Sequence, residues 1–229
     1  MDPAPVAGPA IFLPFSCGNF VLITAAVRIR KEHLPMKLIL ASHSRGRAAL
    51  LTAAGYVFEQ IPSNIEEPAP HNGAPLEGHV RQLAVAKAEA VARLHPHAVV
   101  IGADTALILG RRIFGKPASL ADATRMLACL GGRTHRISSA ACVIFPAAGR
   151  HPQRRTVTMI DTAWVTLRRW PLERLRRHVR LTRPLAWAGA YAVQDPHSAA
   201  LVSRIRGDLA TVIGLPLRAL DRRLREGGI

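Results

Sequence analysis

Val99-Val100-Ile101-Gly102-Ala103-Asp104-Thr105 is an apolar run that ends on a carboxylate, and Gly115-Lys116-Pro117 begins eleven residues after that aspartate. The run has the composition of a buried strand in an α/β sheet. Asp104 closes it, which places the acid at the strand's C-terminal edge, where open α/β sheets hold their ligand crevices. No other Asp or Glu occurs between Glu89 and Asp122. Desolvating a lone carboxylate is costly, so the position predicts a metal or a lysine close by. Lysine is scarce: the chain has 31 Lys and Arg together, and only Lys31, Lys37, Lys87 and Lys116 are lysines. A chain that prefers arginine this strongly keeps lysine where a compact ammonium on a flexible stem suits the chemistry, and Lys87 and Lys116 fit that description. The plainer alternative is that both are ordinary surface lysines.

Outward from this strand the punctuation is regular. Lys37–Ala41 reads as a buried strand that turns through Ser42-His43-Ser44-Arg45-Gly46-Arg47 into a helix reaching about Ala54. Two hydroxyls and an arginine at a strand-to-helix turn form an anion cradle, because unpaired N–H groups and the helix dipole point the same way. Ser42 or Ser44 can equally be a helix cap. Val57–Ile61 predicts a second short strand leading to Asn64-Ile65-Glu66-Glu67-Pro68, where a glutamate can offer an oxygen to a divalent ion or simply stand in solvent. A helix over Leu76–Leu94 carries Lys87 at the edge of its apolar stripe, from which an ammonium can reach a cleft. Leu107–Phe114 predicts a hairpin that delivers Lys116. Helices follow over Leu120–Leu130 and Pro171–Leu181, with Arg136–Phe145 and Arg155–Leu167 as a long antiparallel pair between them, and a last helix starts at Pro216.

Composition narrows the class. With 229 residues, 49% hydrophobic, the chain is long enough for one well-buried α/β domain. Three cysteines, Cys17, Cys129 and Cys142, show no C-x-x-C spacing and predict buried free thiols rather than a disulfide framework. Ten histidines include no H-E-x-x-H, so any metal should be hard and oxygen-bound. A formal charge of +16 suggests polyanion affinity, but aromatics at 5% leave few surfaces for stacking single strands. The Arg168–Arg177 cluster predicts an amphipathic helix with a solvated basic face. Ile11–Ala26 is too short and too interrupted by Pro14 to span a bilayer. Residues 1–35 read as an extension ahead of Met36, with the catalytic-size domain over 36–229.

Taken in order, LILASHS, NIEEP, LAVAKAEAVA, VIGADT, GKP, LGGRTH, AGAYAVQ and VIGLPL make a set that resembles the Maf family of nucleoside triphosphate pyrophosphatases across residues 37–225. The resemblance implies a Maf/ITPase-like α/β fold: an elongated mixed sheet flanked by helices, two lobes with a central cleft, frequently a homodimer. It implies cytoplasmic house-cleaning hydrolysis of nucleotides between the α- and β-phosphates, to a nucleoside monophosphate and pyrophosphate, with Mg²⁺ or Mn²⁺ as the divalent cofactor. Residue by residue, Asp104 matches the proton acceptor and a metal ligand, with Glu67 beside it at the metal. Ser42, Ser44, Arg47, Lys87 and Lys116 match the groups that grip the triphosphate. Gly46, Thr105 and Gln194 fall on the positions associated with base choice; Thr105 and Gln194 agree with the dTTP/UTP branch. Two stretches depart from the pattern. Ser44-Arg45-Gly46-Arg47 stands where the family has S-P-R-R, and Thr182–Trp187 and Asp195 differ around A-G-A-Y. The expected partner is a nucleoside triphosphate, with no membrane role and no nucleic-acid partner. The alternatives are a basic nucleic-acid-binding protein and an inactive Maf relative that regulates division. Salt-sensitive nucleic-acid affinity or metal-dependent nucleotide turnover distinguishes them.

Overall fold

The computed structural model describes residues 12–14, 20–22, 36–67, 76–147 and 153–229. A two-stranded ribbon, β1 (Phe12–Pro14) and β2 (Phe20–Leu22), is what it describes ahead of Met36; the rest of the expected extension over 1–35 lies outside the described residues, as does Cys17. The body follows as β3 (Leu38–Leu40), α1 (Arg45–Ala53), β4 (Glu59–Gln60), α2 (Leu76–Leu94), β5 (Val99–Leu109), β6 (Arg112–Phe114), α3 (Leu120–Leu130), β7 (Thr134–Phe145), β8 (Arg155–Leu167), α4 (Leu172–Thr182), α5 (Pro196–Ala199), β9 (Val202–Arg206), α6 (Leu209–Ile213) and α7 (Leu217–Glu226).

Seven of these strands form one mixed sheet in the order β4-β3-β5-β7-β8-β9, with β6 paired to β5. The β3 strand runs parallel to β4 and β5, and the remaining pairs are antiparallel. Alternation along β5 sorts the core. Val100, Ala106 and Ile108 face α2 with Val80, Ala84 and Val91, whereas Val99, Ile101 and Ala103 face α1 and α7 with Leu51, Leu220 and Leu224. Further along the second face, Leu107 joins a separate cluster built by α3 and α4, with Leu127, Val165, Leu175 and Tyr191. The sheet is thus shared by two lobes.

Two expectations need correcting. Asp104 does not close its strand: β5 continues unbroken to Leu109, and Asp104 stands opposite Ala140 of β7 in the middle of it. The backbone stays paired because β7 runs the whole length of β5, and the carboxylate is neutralised by a residue from another element. The second strand is only Glu59–Gln60 rather than Val57–Ile61, because Val57 is 72% exposed and has no sheet neighbour to pack against. What does end near Asp104 is the neighbour. The register of β3 with β5 stops at Leu40 opposite Ile101, and β6 begins pairing on that same edge only at Leu107 opposite Phe114. Between them the edge of β5 has no strand beside it, so the sheet carries a notch from Gly102 to Ala106.

Candidate functional site in the sheet notch

The turn after β3, α1, α2 and β5 itself bring polar side chains to the notch. Above Ala41 the chain turns into α1, whose N-cap is Ser44; its hydroxyl accepts from the Arg47 N–H at 3.3 Å. Ser42, 8% exposed, is not the cap. Its hydroxyl accepts from the Ser44 N–H at 3.2 Å and from Arg47 Nη1 at 3.1 Å. Arg47 then reaches the open edge of β5. Nη1 donates to the Ala103 carbonyl at 3.0 Å, Nη2 to Thr105 Oγ1 at 3.1 Å, and Nε to the Gly214 carbonyl at 3.0 Å. An arginine has five N–H donors, and these bonds leave one of them, on Nη2, for a ligand. Arg47 therefore ties three chain segments together as well as lining the notch. Burial lowers its pKa, and the charges of Asp104 and Glu67 push back.

Asp104 is on the α2 face of β5. Lys87, buried on α2, donates to its Oδ1 at 2.6 Å and also pairs with Glu67 Oε1 at 2.8 Å. The sequence expectation of a lysine beside the lone acid is met, and Lys87 is not a surface lysine. Glu67 is half-exposed; burial pushes its pKa up, but the hydrogen bond and charge of Lys87, with Lys116 and Arg47 beyond, outweigh that and hold it below the usual carboxylate value. Lys116, exposed just after β6, is thus close enough for its charge to act on Glu67. Three cations face two carboxylates, an imbalance that suits a polyanion.

The three positions matched to base choice share one wall. A Cβ built on Gly46 would lie 3.1 Å from Gln194 Nε2 and 2.9 Å from Ile213 Cγ2, so the bare glycine is what lets Gln194 pack against the start of α1. Thr105 is linked to that wall through Arg47 and through the Gly214 carbonyl, which both contact. Arg45 is exposed, and no ion pair or hydrogen bond of its side chain occurs among the described residues.

Several supporting groups went unnoticed in the sequence. Ser139 bonds Thr105 Oγ1 at 2.9 Å and donates to the Thr211 carbonyl at 2.7 Å, while Thr211 donates to Asp161 at 2.6 Å. The signal was present: Ser138-Ser139 is a hydroxyl pair inside an otherwise apolar strand. Gln60 donates to the Ser42 carbonyl at 2.6 Å, and His43 bonds Asn64 at 3.1 Å, which holds the segment leading to Glu67 over the notch.

The segment that carries Gln194 is fixed at three points. The Gly189 N–H donates to the Gly115 carbonyl at 3.0 Å, beside Lys116. Gly189 has φ 69°, and a Cβ there would lie 2.5 Å from Leu107 Cδ1, so only glycine fits. Tyr191 and His135 share a buried hydrogen bond of 2.6 Å, and Asp195 caps α5. Burial pulls the His135 pKa from 6.5 down to about 4. An unfolded chain takes up this proton below pH 6.5 and the folded one only near 4, so stability is present above pH 6.5 and is lost as pH falls through that window. The loss should approach about 3 kcal/mol at pH 4. Urea midpoints followed against pH should flatten over the same window in His135→Gln; an unchanged slope would assign the acid sensitivity elsewhere.

The model of the Maf-like protein family matches residues 37–227. The chain belongs to the Maf family. Among the relatives of this Maf chain, the dTTP/UTP pyrophosphatase of Nitratidesulfovibrio vulgaris is 41% identical over 193 residues, covering 84% of this chain and 89% of its own length. That of Moorella thermoacetica is 41% identical over 193 residues, with 84% and 96% covered. The Aquifex aeolicus protein of the same name is 39% identical over 191 residues, with 83% and 95% covered. The structure of a HAM1 protein from Coxiella burnetii covers 83% of this chain and 99% of its own at 16% identity and a TM-score of 0.43, too distant to bear on the site. Among the described residues no helix is long and apolar enough to cross a membrane.

Proposed function

We propose that this chain hydrolyses the bond between the α- and β-phosphates of nucleoside triphosphates, dTTP and UTP or modified relatives, to a nucleoside monophosphate and pyrophosphate. The observation that carries the reading is the Asp104–Lys87–Glu67 bridge in a notch that Arg47 and Lys116 also border. The relatives named above match this chain in sequence over most of their length and are named dTTP/UTP pyrophosphatases.

Asp104 Oδ1 is engaged by Lys87, and its other oxygen accepts the proton of a water that attacks the α-phosphorus. The electron pair of the broken α–β bridge leaves on pyrophosphate. Lys87 and Lys116, with the spare N–H of Arg47, offset the charge that builds on the phosphate oxygens. The donor set also suits a hard divalent cation. Two carboxylates, Glu67 and Asp104, meet at Lys87 Nζ, so a cation would share them with that ammonium, and no cluster of three or more His, Cys, Asp or Glu occurs among the described residues. That leaves the rest of the shell to phosphate and water, a common arrangement for Mg²⁺. Mg²⁺ or Mn²⁺ held there would polarise the phosphate and lower the pKa of bound water. At the other end, the Gln194 amide, packed beside Gly46, presents the paired donor and acceptor that a uracil or thymine edge requires.

A panel of nucleoside triphosphates with Mg²⁺ or Mn²⁺ should release pyrophosphate, fastest from dTTP and UTP. Release of orthophosphate would overturn the assigned bond. Gln194→Glu replaces the amide donor with a second acceptor and should lower kcat/KM for UTP by about 100-fold, some 3 kcal/mol. Equal losses for every nucleotide would contradict base reading.

A further inference from the structure

The sheet face that α2 covers continues past the start of that helix. Glu77, in the first turn of α2, pairs with Arg136 at 2.7 Å and marks where the cover stops. Beyond it, the register aligns Arg136, Trp164 and Arg206 in one cross-strand row and Thr134, Thr166 and Arg204 in the next, all on the same face. Trp164 is 42% exposed, and the Arg206 guanidinium carbon lies 5.8 Å from the centre of its ring. The Thr134 and Thr166 hydroxyls bond each other at 2.8 Å. Thr134, Trp164, Thr166, Arg204 and Arg206 line an open cavity of about 240 Å³, apart from the notch that holds Asp104.

Some surface arginines are neutralised, and those lining this cavity are not. On α7, Arg218, Arg223 and Arg225 each pair with a carboxylate. Arg204 and Arg206 pair with none among the described residues, in a chain of net charge +16. The sequence expectation discounted nucleic acid because aromatics are few; the structure places one of the few in the open, among unpaired arginines.

We propose that this face binds single-stranded nucleic acid, with one base against Trp164 and its neighbouring phosphates on Arg204 and Arg206. Three features select this ligand. A flat exposed indole accepts any base by stacking, and arginine beside it adds a cation–π contribution. The cavity is open at the surface, so a base carried on a continuous strand can enter it sideways. Arg204 and Arg206 repeat along β9 at about 6.6 Å, two strand residues, which a flexible backbone can follow from phosphate to phosphate. An acidic peptide would satisfy the arginines but would leave the ring without a partner. The proposal does not depend on the hydrolytic reading.

The test is titration of the full chain with a fluorescein-labelled single-stranded oligonucleotide of about 12 nucleotides, a length within known site sizes. Affinity should fall about tenfold between roughly 50 and 200 mM salt, as expected for two or three phosphate contacts. Trp164→Ala should weaken binding at least about tenfold, and Trp164→Phe should restore most of it. The double variant Arg204→Ala, Arg206→Ala should weaken binding and flatten its salt dependence. Pyrophosphate release should stay as in wild type for all three at a temperature where each is folded by thermal melt. Wild-type affinity in Trp164→Ala, or in the double arginine variant, would overturn the proposal. So would complete displacement of the oligonucleotide by a mononucleotide, which would make this a mononucleotide site, or by an oligoglutamate of equal charge, which would make it a general anion surface.

Discussion

Asp104→Asn should lower pyrophosphate release by about 1,000-fold or more while the protein stays folded and still binds nucleotide. The magnitude is that of a lost general base, some 4 kcal/mol in the barrier. Asparagine has nearly the size of aspartate, and its carbonyl oxygen can still accept from Lys87, which keeps Glu67 as a charged partner. The buried ammonium is therefore not stranded, and the stability loss should stay within about 2 kcal/mol. What the variant cannot do is take a proton from water. In the proposed site substrate is held by Lys116, Lys87 and the spare donor of Arg47, so the dissociation constant for a nucleotide should change only a few-fold. A variant with wild-type rates would remove Asp104 from the reaction. A variant that fails to fold would show instead that the Asp104–Lys87 pair is structural, and a comparison with Lys87→Met would then separate the two roles.

The site is legible in the sequence where its chemistry is local and hidden where it depends on distant contacts. A lone acid in an apolar run predicts a nearby cation, and Lys87 supplies it. The same acid suggested a strand end, because nothing in the run reveals that β7 pairs on past it to Ile108. The edge of β5 is open beside Asp104 because β3, not β5, stops there. Ser44 as cap follows from its place before α1, whereas the part played by Arg47 does not. Its acceptors on Ala103, Thr105 and Gly214 are 56, 58 and 167 residues away, and no local pattern encodes them. The exposed Trp164 was equally hidden, since a tryptophan in a strand of alternating residues reads as core until the extent of α2 is known.

Gly102→Ala should cost more than any other single methyl group in this region, and it should cost activity with stability. Gly102 faces α2, and a Cβ there would lie 2.2 Å from the Ala84 carbonyl oxygen, 2.5 Å from the Ala88 nitrogen and 2.8 Å from the Ala88 Cβ. Two of these neighbours are helix backbone, so no side-chain rotation relieves the clash; the helix has to move away from the sheet. Overpacking of this kind costs about 3 kcal/mol, or more where backbone must shift. Lys87 lies between the two contacted residues on the same helix, so any displacement of α2 lengthens the 2.6 Å bond to Asp104. Thermal midpoint and kcat should therefore fall together, with kcat reduced about 100-fold at a temperature where the variant is still folded, as expected when a catalytic group is misplaced by about an ångström. Ala88→Gly removes only the Cβ contact and leaves both backbone contacts in place, so it should restore neither quantity to the wild-type level. A Gly102→Ala protein that kept full kcat while losing stability would show that α2 yields without carrying Lys87 with it.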